Sequence, residues 1–458
     1  MTSRAAELPI ETALKAAISR LPAPARRAAR IRRACLDQAV DYQLGPRRRI
    51  AIELMPAPAV IDIHQVRFLH ELSEIINGYM RKMPAHYCRD AAVRALLPFD
   101  GAEQAWMDRC LPGPRKQSVV SRIDYDMPLH TRDTVVFEPN GCSIGGIYYG
   151  AACARVIEQE VLGEPDLAAV RGRLRMLTDG CEVAARVLAD HARLVFGKTR
   201  PRVGILENRE WDAGITEMPS LARHLERHGM ATHIADPREL AYRRGTFRLK
   251  GQPVDILYRN MEGDDFAELA SSGHRLDAVV AAFHDNRVVS GIAGDFDHKS
   301  MWEVLTSPAT AHVVAPAHRA LLRRHLLWTR LLREAETSGP DGRKVDLLPW
   351  VLAHKNQLVL KPNRSCGGEG VTLGPALDKE HWRRAVSRAL RHRDAWVVQL
   401  FHEGTQKRFP VRRPGSRLHY VTYGVISAPR VVGILGRACR HPVVNVSRGG
   451  GLLPVFGT

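Results

Sequence analysis

The spacing of apolar and polar positions along this chain switches between a helical and a strand period, and the switches divide it. Over Ile61–Tyr79, Val66, Leu69, Leu72, Ile75, Ile76 and Tyr79 recur at helical spacing while Arg67, His70, Glu71 and Glu74 fall elsewhere, which predicts an amphipathic helix. Pro22, Pro24, Pro56, Pro58 and Pro84 punctuate a mainly helical stretch that runs to about residue 118. The pattern then changes to period two. Arg122 and Asp124 are two apart, as are Glu138 and Asn140, so each pair shares one face of a strand, and the turn Met127–Asp133 makes the two strands a hairpin. Ala151–Leu162 and Asp166–Phe196 predict helices, the second long and amphipathic. From Pro201 onward, apolar strands at Val203–Leu206, Ala231–Ala235 and Val254–Tyr258 alternate with helical segments, the arrangement of a small doubly wound sheet. Arg319–Glu336 and Asp378–His392 read as basic helices, Trp396–Phe401 as a buried strand, and Tyr420–Ile426 with Val431–Leu435 as a hairpin across Pro429.

One stretch breaks this rhythm. In Gln357–Gly374, an apolar strand ends in Lys361 and gives way to a turn containing Gly367, Gly368 and Gly370. Glycines allow positive φ and close backbone approach to a ligand, and successive amides make an anion nest beside the lysine charge. This suits a triphosphate; a plain tight turn is the other reading. No Gly-Lys-Ser/Thr follows, so the loop is not a Walker loop, and the strand–GxGxxG–helix context of a dinucleotide site is missing.

The hairpin carries a second kind of chemistry. Asp124, Glu138 and Asn140 are hard oxygen donors of the type magnesium prefers, and Gly141, Gly145 and Gly146 follow at once. At the ends of doubly wound strands, where ligands collect, Arg259 is a candidate for a substrate carboxylate; Ser143, in the glycine-rich loop after Asn140, is a second substrate candidate.

Composition narrows the class. A length of 458 residues suggests about three domains, and no apolar run approaches a membrane span. No secretory signal is evident at the amino terminus, so a cytoplasmic protein is expected. Eight scattered cysteines without a CxxC pair predict reduced thiols, with Cys142 and Cys366 placed in the two glycine-rich loops. The net charge of +18 comes from interspersed arginines and lysines, not from a tail or a nucleic-acid motif. No specific nucleic acid and no membrane partner are expected; a homodimer is compatible.

R-x-D followed by E-x-N resembles the metal-binding signature of ATP-grasp ligases, and LVLKPNRSCGGEGV resembles their phosphate-covering loop. In most such chains the lysine loop comes first. The reversed order here, Asp124–Asn140 before Lys361, is similar to circularly permuted members, the glutathionylspermidine synthetase-like group in particular. The resemblance spans residues 119 to 458. It implies an α+β and α/β architecture, with the metal-binding part of the ATP-grasp domain and helices over 119–198, a Rossmann-like pre-ATP-grasp domain over 199–294 and the nucleotide-binding part over 295–458, all following the helical region that periodicity predicts over 1–118.

The resemblance also implies roles. Asp124, Glu138 and Asn140 would hold Mg2+; Lys299 (with Lys344 and Lys355 as rivals) and Lys361 would meet ATP together with Gly367, Gly368 and Gly370. Gln399, Phe401 and Glu403 would line the base pocket, and Arg122 and Arg437 would offset charge on the transferred phosphate. Arg437 precedes Asn445-Val-Ser447-Arg-Gly-Gly-Gly451, which resembles the stretch between hinge and metal strands in unpermuted relatives. The expected activity is an ATP- and Mg2+-dependent carboxylate–amine ligase acting on small-molecule acids and amines through an acyl phosphate. The alternative from another class is an inactive ATP-grasp protein that binds an anionic ligand or nucleic acid.

Overall fold

Strand Arg122–Asp126 lies inside a six-stranded antiparallel sheet assembled from distant parts of the chain. One edge of it pairs with Val135–Asn140 and the other with Ser416–Ala428, placing Asp124 opposite both Glu138 and Gly424. Ser416–Ala428 and Val431–Cys439 form the long hairpin expected around Pro429, and Gly451–Leu453 and Gln406–Pro410 complete the sheet. The computed structural model describes residues 7–45, 48–114, 116–208, 210, 213–365, 367–392, 395–410, 416–446 and 449–458.

Helix Ile63–Met80 begins at a capping box, in which Asp62 accepts from the Gln65 amide and Gln65 returns a bond to Asp62 N–H. It packs Leu69, Leu72 and Ile76 into the main core, and its buried polar groups are paired across to the sheet. Ser73 meets the Tyr125 hydroxyl at 2.7 Å, and Asn77 bridges Ser427 and Ser121. The first hundred residues are mainly helical, but they also contribute three short strands. Asp41–Leu44 pairs with Arg49–Ala51 and with Ala213–Ile215, and Ala59–Ile61 runs parallel to Val455–Gly457 near the other end of the chain.

A second antiparallel sheet orders Thr329–Leu331, Trp396–Leu400, Leu358–Pro362 and Thr372–Leu373. Helices Leu347–Ala353 and Lys379–Arg391 cover it, burying Leu347, Val351, Trp382 and Val386 in a separate core. A third sheet is fully parallel, in the order Val288–Val289, Ile256–Arg259, Val203–Leu206, Thr232–Ala235. Among the described residues no helix is long and apolar enough to cross a membrane.

Two helices expected from periodicity are shorter than anticipated. Asp166–Phe196 breaks after Ala168–Arg171 and restarts at Gly180, because Asp179 caps the new helix and Arg175–Met176 pairs with Val455–Gly457. The basic helix from 319 ends at His325; the next residues, Thr329–Leu331, are drawn into the second sheet by pairing with Trp396–Leu400. Local periodicity cannot register a partner seventy residues away.

Arg259 is corrected as well. It is fully buried at the end of its strand and bidentate on Asp295 at 2.8 Å, while it also donates to the carbonyls of Ser290 and Gly291. With four donor contacts made inside the protein it is a structural ion pair, not a grip for a substrate. Asp295→Ala leaves this guanidinium buried without its counter-ion, and a loss of about 3–5 kcal/mol is expected in urea denaturation. Arg259→Ala should likewise act on stability and leave any substrate constant unchanged in the surviving folded fraction.

Candidate functional site

The two antiparallel sheets face each other across a cleft of about 920 Å3, open solvent at its mouth included. Asp124, Glu138, Thr422 and Arg437 line it from the six-stranded sheet, and Lys361, Val359 and Gln399 from the four-stranded one. Lys299, Ser365, Gly368, Glu369 and Val371 close one side. The structure therefore brings the hairpin carboxylates and the glycine-loop lysine into one cavity, although more than two hundred residues separate them. Lys299 joins them: its Nζ lies 3.5 Å from Glu138 and donates to the Ser365 carbonyl at 3.0 Å, which ties the glycine loop to the hairpin. The rival lysines lie elsewhere, since Lys344 pairs with Glu336 on an exposed ribbon and Lys355 donates to the Leu377 carbonyl.

Strand register produces this convergence. Thr422 lies opposite Arg437, Gly424 opposite Asp124, and Asp124 opposite Glu138, so alternate residues of neighbouring strands place their side chains on one face. A β-bulge adds Phe137 between the pairs Asp124–Glu138 and Tyr125–Val136. The Phe137 carbonyl accepts from Trp302 at 2.9 Å and from the Gln399 amide at 3.1 Å. Gln399 in turn donates to Thr329 and accepts from Lys361 Nζ at 2.7 Å. It is fully buried, and it fixes the lysine relative to both sheets.

The charges are unevenly satisfied. Asp124 is gripped by Arg122 at 2.8 and 3.1 Å and by Arg437 at 2.8 Å. Burial alone would raise its pKa, but the two guanidiniums prevail and hold it down to about 2. Burial depresses the Lys361 ammonium; Glu138 opposes that and Lys299 adds to it. Arg122 also donates to the Gly145 carbonyl and to Asn140 Oδ1, and Asn140 Nδ2 returns a bond to Arg122 O. Among the described residues, two buried polar atoms at the cleft, Thr422 Oγ1 and Arg437 Nε, have no hydrogen-bond partner.

The glycine loop is built as its composition requires. Gly367, Gly368 and Gly370 all have positive φ, of 70°, 73° and 68°, and a Cβ at Gly370 would lie 2.7 Å from Pro362 Cγ. Cys366 lies outside the described residues, as do Ser447 and Arg448 of the later motif. Phe401 lines the cleft, whereas Glu403 is exposed and is not part of its lining. Asn140 and Ser143 are also outside the lining: Asn140 is engaged by Arg122, and Ser143 is half-buried at φ 48° in the following loop. Cys142 packs its sulfur 3.7 Å from the Gly294 carbonyl, and burial pushes its thiol well above the ordinary range.

Two cleft residues carry no sequence signal of their own. His402, held at 2.6 Å by Asp126, and Thr422, inside an apolar strand, belong to the cleft only through sheet packing. Glu217 is a third such residue, placed behind the site. Its carboxylate accepts from the backbone N–H groups of Gly146, Tyr148 and Tyr149 and so pins the loop that follows the hairpin.

Comparison with solved structures shows a likeness of fold to a glutathione synthetase-like protein. A glutathione synthetase-like effector from Globodera pallida, solved in its apo form, superposes with a TM-score of 0.63 over 94% of this chain and 96% of that one, at 10% identity. A putative gamma-glutamylcysteine synthetase from Methylobacillus flagellatus (TM-score 0.39, 10% identity, 84% and 88% coverage) and a RimK-domain ATP-grasp protein from Sphaerobacter thermophilus (0.25, 14%, 51% and 89%) also match, at scores too low to add weight. No family model and no curated protein matches the sequence.

The depressed Asp124 pKa has a sign that can be tested. Its folded value lies below the ordinary 3.8, so its contribution to stability is complete above about pH 4 and is lost as pH falls toward 2. Asp124→Asn is expected to flatten the acid limb of a stability–pH profile over that interval, measured by urea denaturation.

Proposed function

We propose that this chain is an ATP-dependent carboxylate–amine ligase whose nucleotide lies in the cleft between the two antiparallel sheets. The observation that carries the reading is the convergence of Lys299, Lys361 and Arg437 with Asp124 and Glu138 beneath a positive-φ glycine loop. The residues present suit the nucleotide. Leu327, Val359, Val371, Leu373, Leu400 and Phe401 offer an apolar wall for a base, and Arg437 Nε and Thr422 Oγ1 are buried with bonding capacity left over. The circularly permuted reading rests on motif order and on a sheet in which residues 122–126 lie beside residues 416–428. The parallel sheet of residues 203–289 suits the pre-ATP-grasp unit.

In the reaction, a substrate carboxylate oxygen attacks the γ-phosphorus, the bond to the β–γ bridging oxygen breaks, and ADP leaves. The amine nitrogen then attacks the acyl carbon, the acyl–phosphate C–O bond breaks, and phosphate departs as the nitrogen loses a proton. Such transfers depend on positioning and on offsetting charge. Lys361, aimed by Gln399, and Lys299, aimed by Glu138 and Ser365, would stand over the phosphates. Arg437 would turn from Asp124 toward the transferred group, and Asp124, still held by Arg122, would join Glu138 as a magnesium ligand. Magnesium, when bound, would neutralise phosphate charge and hold the triphosphate in line. Asn140 would orient Arg122 within the hairpin and join the ligand set only on rearrangement.

A screen for ADP release against pooled acids and amines, with product mass measured, tests the reading. Nucleotide binding without ADP release under any pair would favour a binding module over a ligase. Glu138→Gln is expected to retain nucleotide binding and to lose at least about 100-fold in turnover, or about 2.7 kcal/mol of transition-state stabilisation. Full activity in that variant would show the central assignment to be wrong. Gly424→Ala should be similarly damaging without removing any charge, because its Cβ would lie 2.6 Å from Arg122 Cδ and 3.2 Å from Asp124 Oδ1 and displace both.

A further inference from the structure

Helices Gly180–Phe196 and Met218–Arg227 bring a second cluster of ligating side chains together, away from the cleft. Asp179 caps the first helix, which places Glu182 in its opening turn. His224 stands in the last turn of the other helix and His228 just beyond it, four residues on, so both imidazoles project from one side. Their rings stack with centroids 4.6 Å apart. Glu182 Oε2 lies 3.3 Å from His224 Nε2 and 3.1 Å from His228 Nε2. Among the described residues these two rings are the side-chain partners of Glu182.

The tautomer makes this arrangement informative. His228 Nδ1 lies 3.1 Å from the His224 carbonyl, which can only accept, so Nδ1 carries the hydrogen. A neutral His228 therefore points the Nε2 lone pair at a carboxylate oxygen. Two lone pairs at that distance repel, and either a proton on Nε2 or a metal ion between them removes the repulsion. A backbone carbonyl that fixes Nδ1–H and leaves Nε2 free is the usual support for a metal-binding imidazole. Zinc bonds of about 2.0–2.2 Å set tetrahedral ligand–ligand edges of about 3.3–3.5 Å. The observed separations of 3.1 and 3.3 Å fall near these edges, and all three ligand atoms lie within 4.8 Å of one another.

We propose that Glu182, His224 and His228 form a transition-metal site, with zinc as the ion that two imidazoles and one carboxylate suit best. His228 is 45% exposed, so solvent supplies the fourth position. None of the three lines the nucleotide cleft, and the site is a structural staple. Both helices begin against the loop after the hairpin: Glu217 pins residues 146–149, and a Cβ at Gly180 would lie 2.4 Å from the Ile147 carbonyl. A metal joining the last turn of one helix to the first turn of the other would stiffen the frame behind the cleft.

The test uses the full chain, stripped with a chelator, desalted, and titrated with zinc chloride against a chromophoric competitor. One equivalent should bind at micromolar affinity or tighter and raise Tm. His228→Ala and Glu182→Gln lie at the surface, so the metal-free variants should melt like the parent. Their zinc affinity should fall at least about 100-fold, and zinc should no longer shift their Tm. Cobalt(II) should give a tetrahedral spectrum without a thiolate charge-transfer band, which separates this site from the cysteines. Absence of one-to-one binding, unchanged affinity in both variants, or a thiolate band would overturn the proposal. In the first case a protonated His228 held by Glu182 accounts for the geometry.

Discussion

The pairing of Arg122–Asp126 with Tyr423–Ile426 is the constraint on which the rest of this structure depends. It joins segments about three hundred residues apart and places Asp124 opposite Gly424. Gly424 has no side chain, and that space is filled by the Arg122 stem, which a Cβ would meet at 2.6 Å. A slip of one residue would turn Asp124 and Glu138 onto the face opposite Thr422 and Arg437, because strand side chains alternate. One register thus fixes the composition of one wall of the cleft. The bulge at Phe137 then frees a carbonyl toward the second sheet, where Gln399 converts it into a position for Lys361.

Electrostatics explains why this wall is stable and yet poised. Asp124 sits between two guanidiniums, which offset the cost of burying it. Lys361, by contrast, is half-buried with an uncharged amide as its hydrogen-bonding partner, so it favours the approach of negative charge. An anion in the cleft competes for Arg437 and relieves Lys361 together. The arrangement is ordered before a ligand arrives, through neutral donors and acceptors such as Gln399, Thr329 and the Ser365 carbonyl. Preorganisation of this kind would suit the phosphoryl transfer we propose, with Arg437 as the one charge that has to move.

The support behind the cleft follows the same logic. The loop after Asn140 has few side chains with which to hold itself, and a single carboxylate, Glu217, takes up three of its N–H groups. The helix that begins there ends at the Glu182–His224–His228 cluster, so the carboxylate anchor and the metal staple we propose act on the two ends of one element.

The sequence determined the local parts. Glycine at 367, 368 and 370 predicted the positive-φ loop, and all three adopt it, because only residues without a Cβ enter that region freely. Period-two spacing placed Arg122 with Asp124 and Glu138 with Asn140 on shared strand faces, and apolar periodicity located helices such as Ile63–Met80 and Lys379–Arg391. Motif order alone suggested that Lys361 would face the hairpin. What the sequence could not contain was partnership at a distance. Arg259 reads as a ligand-binding arginine until Asp295 is seen against it, and nothing in the sequence shows that the amide of Gln399, on the cleft wall, also stands between Lys361 and Phe137. His402 and Thr422 have no pattern of their own, and the helix from 319 ended early because a strand seventy residues on claimed its backbone. Local conformation depends on neighbours along the chain, which the sequence states. The neighbours of a buried charge or an unpaired strand edge are set by tertiary packing, and only the folded chain decides them.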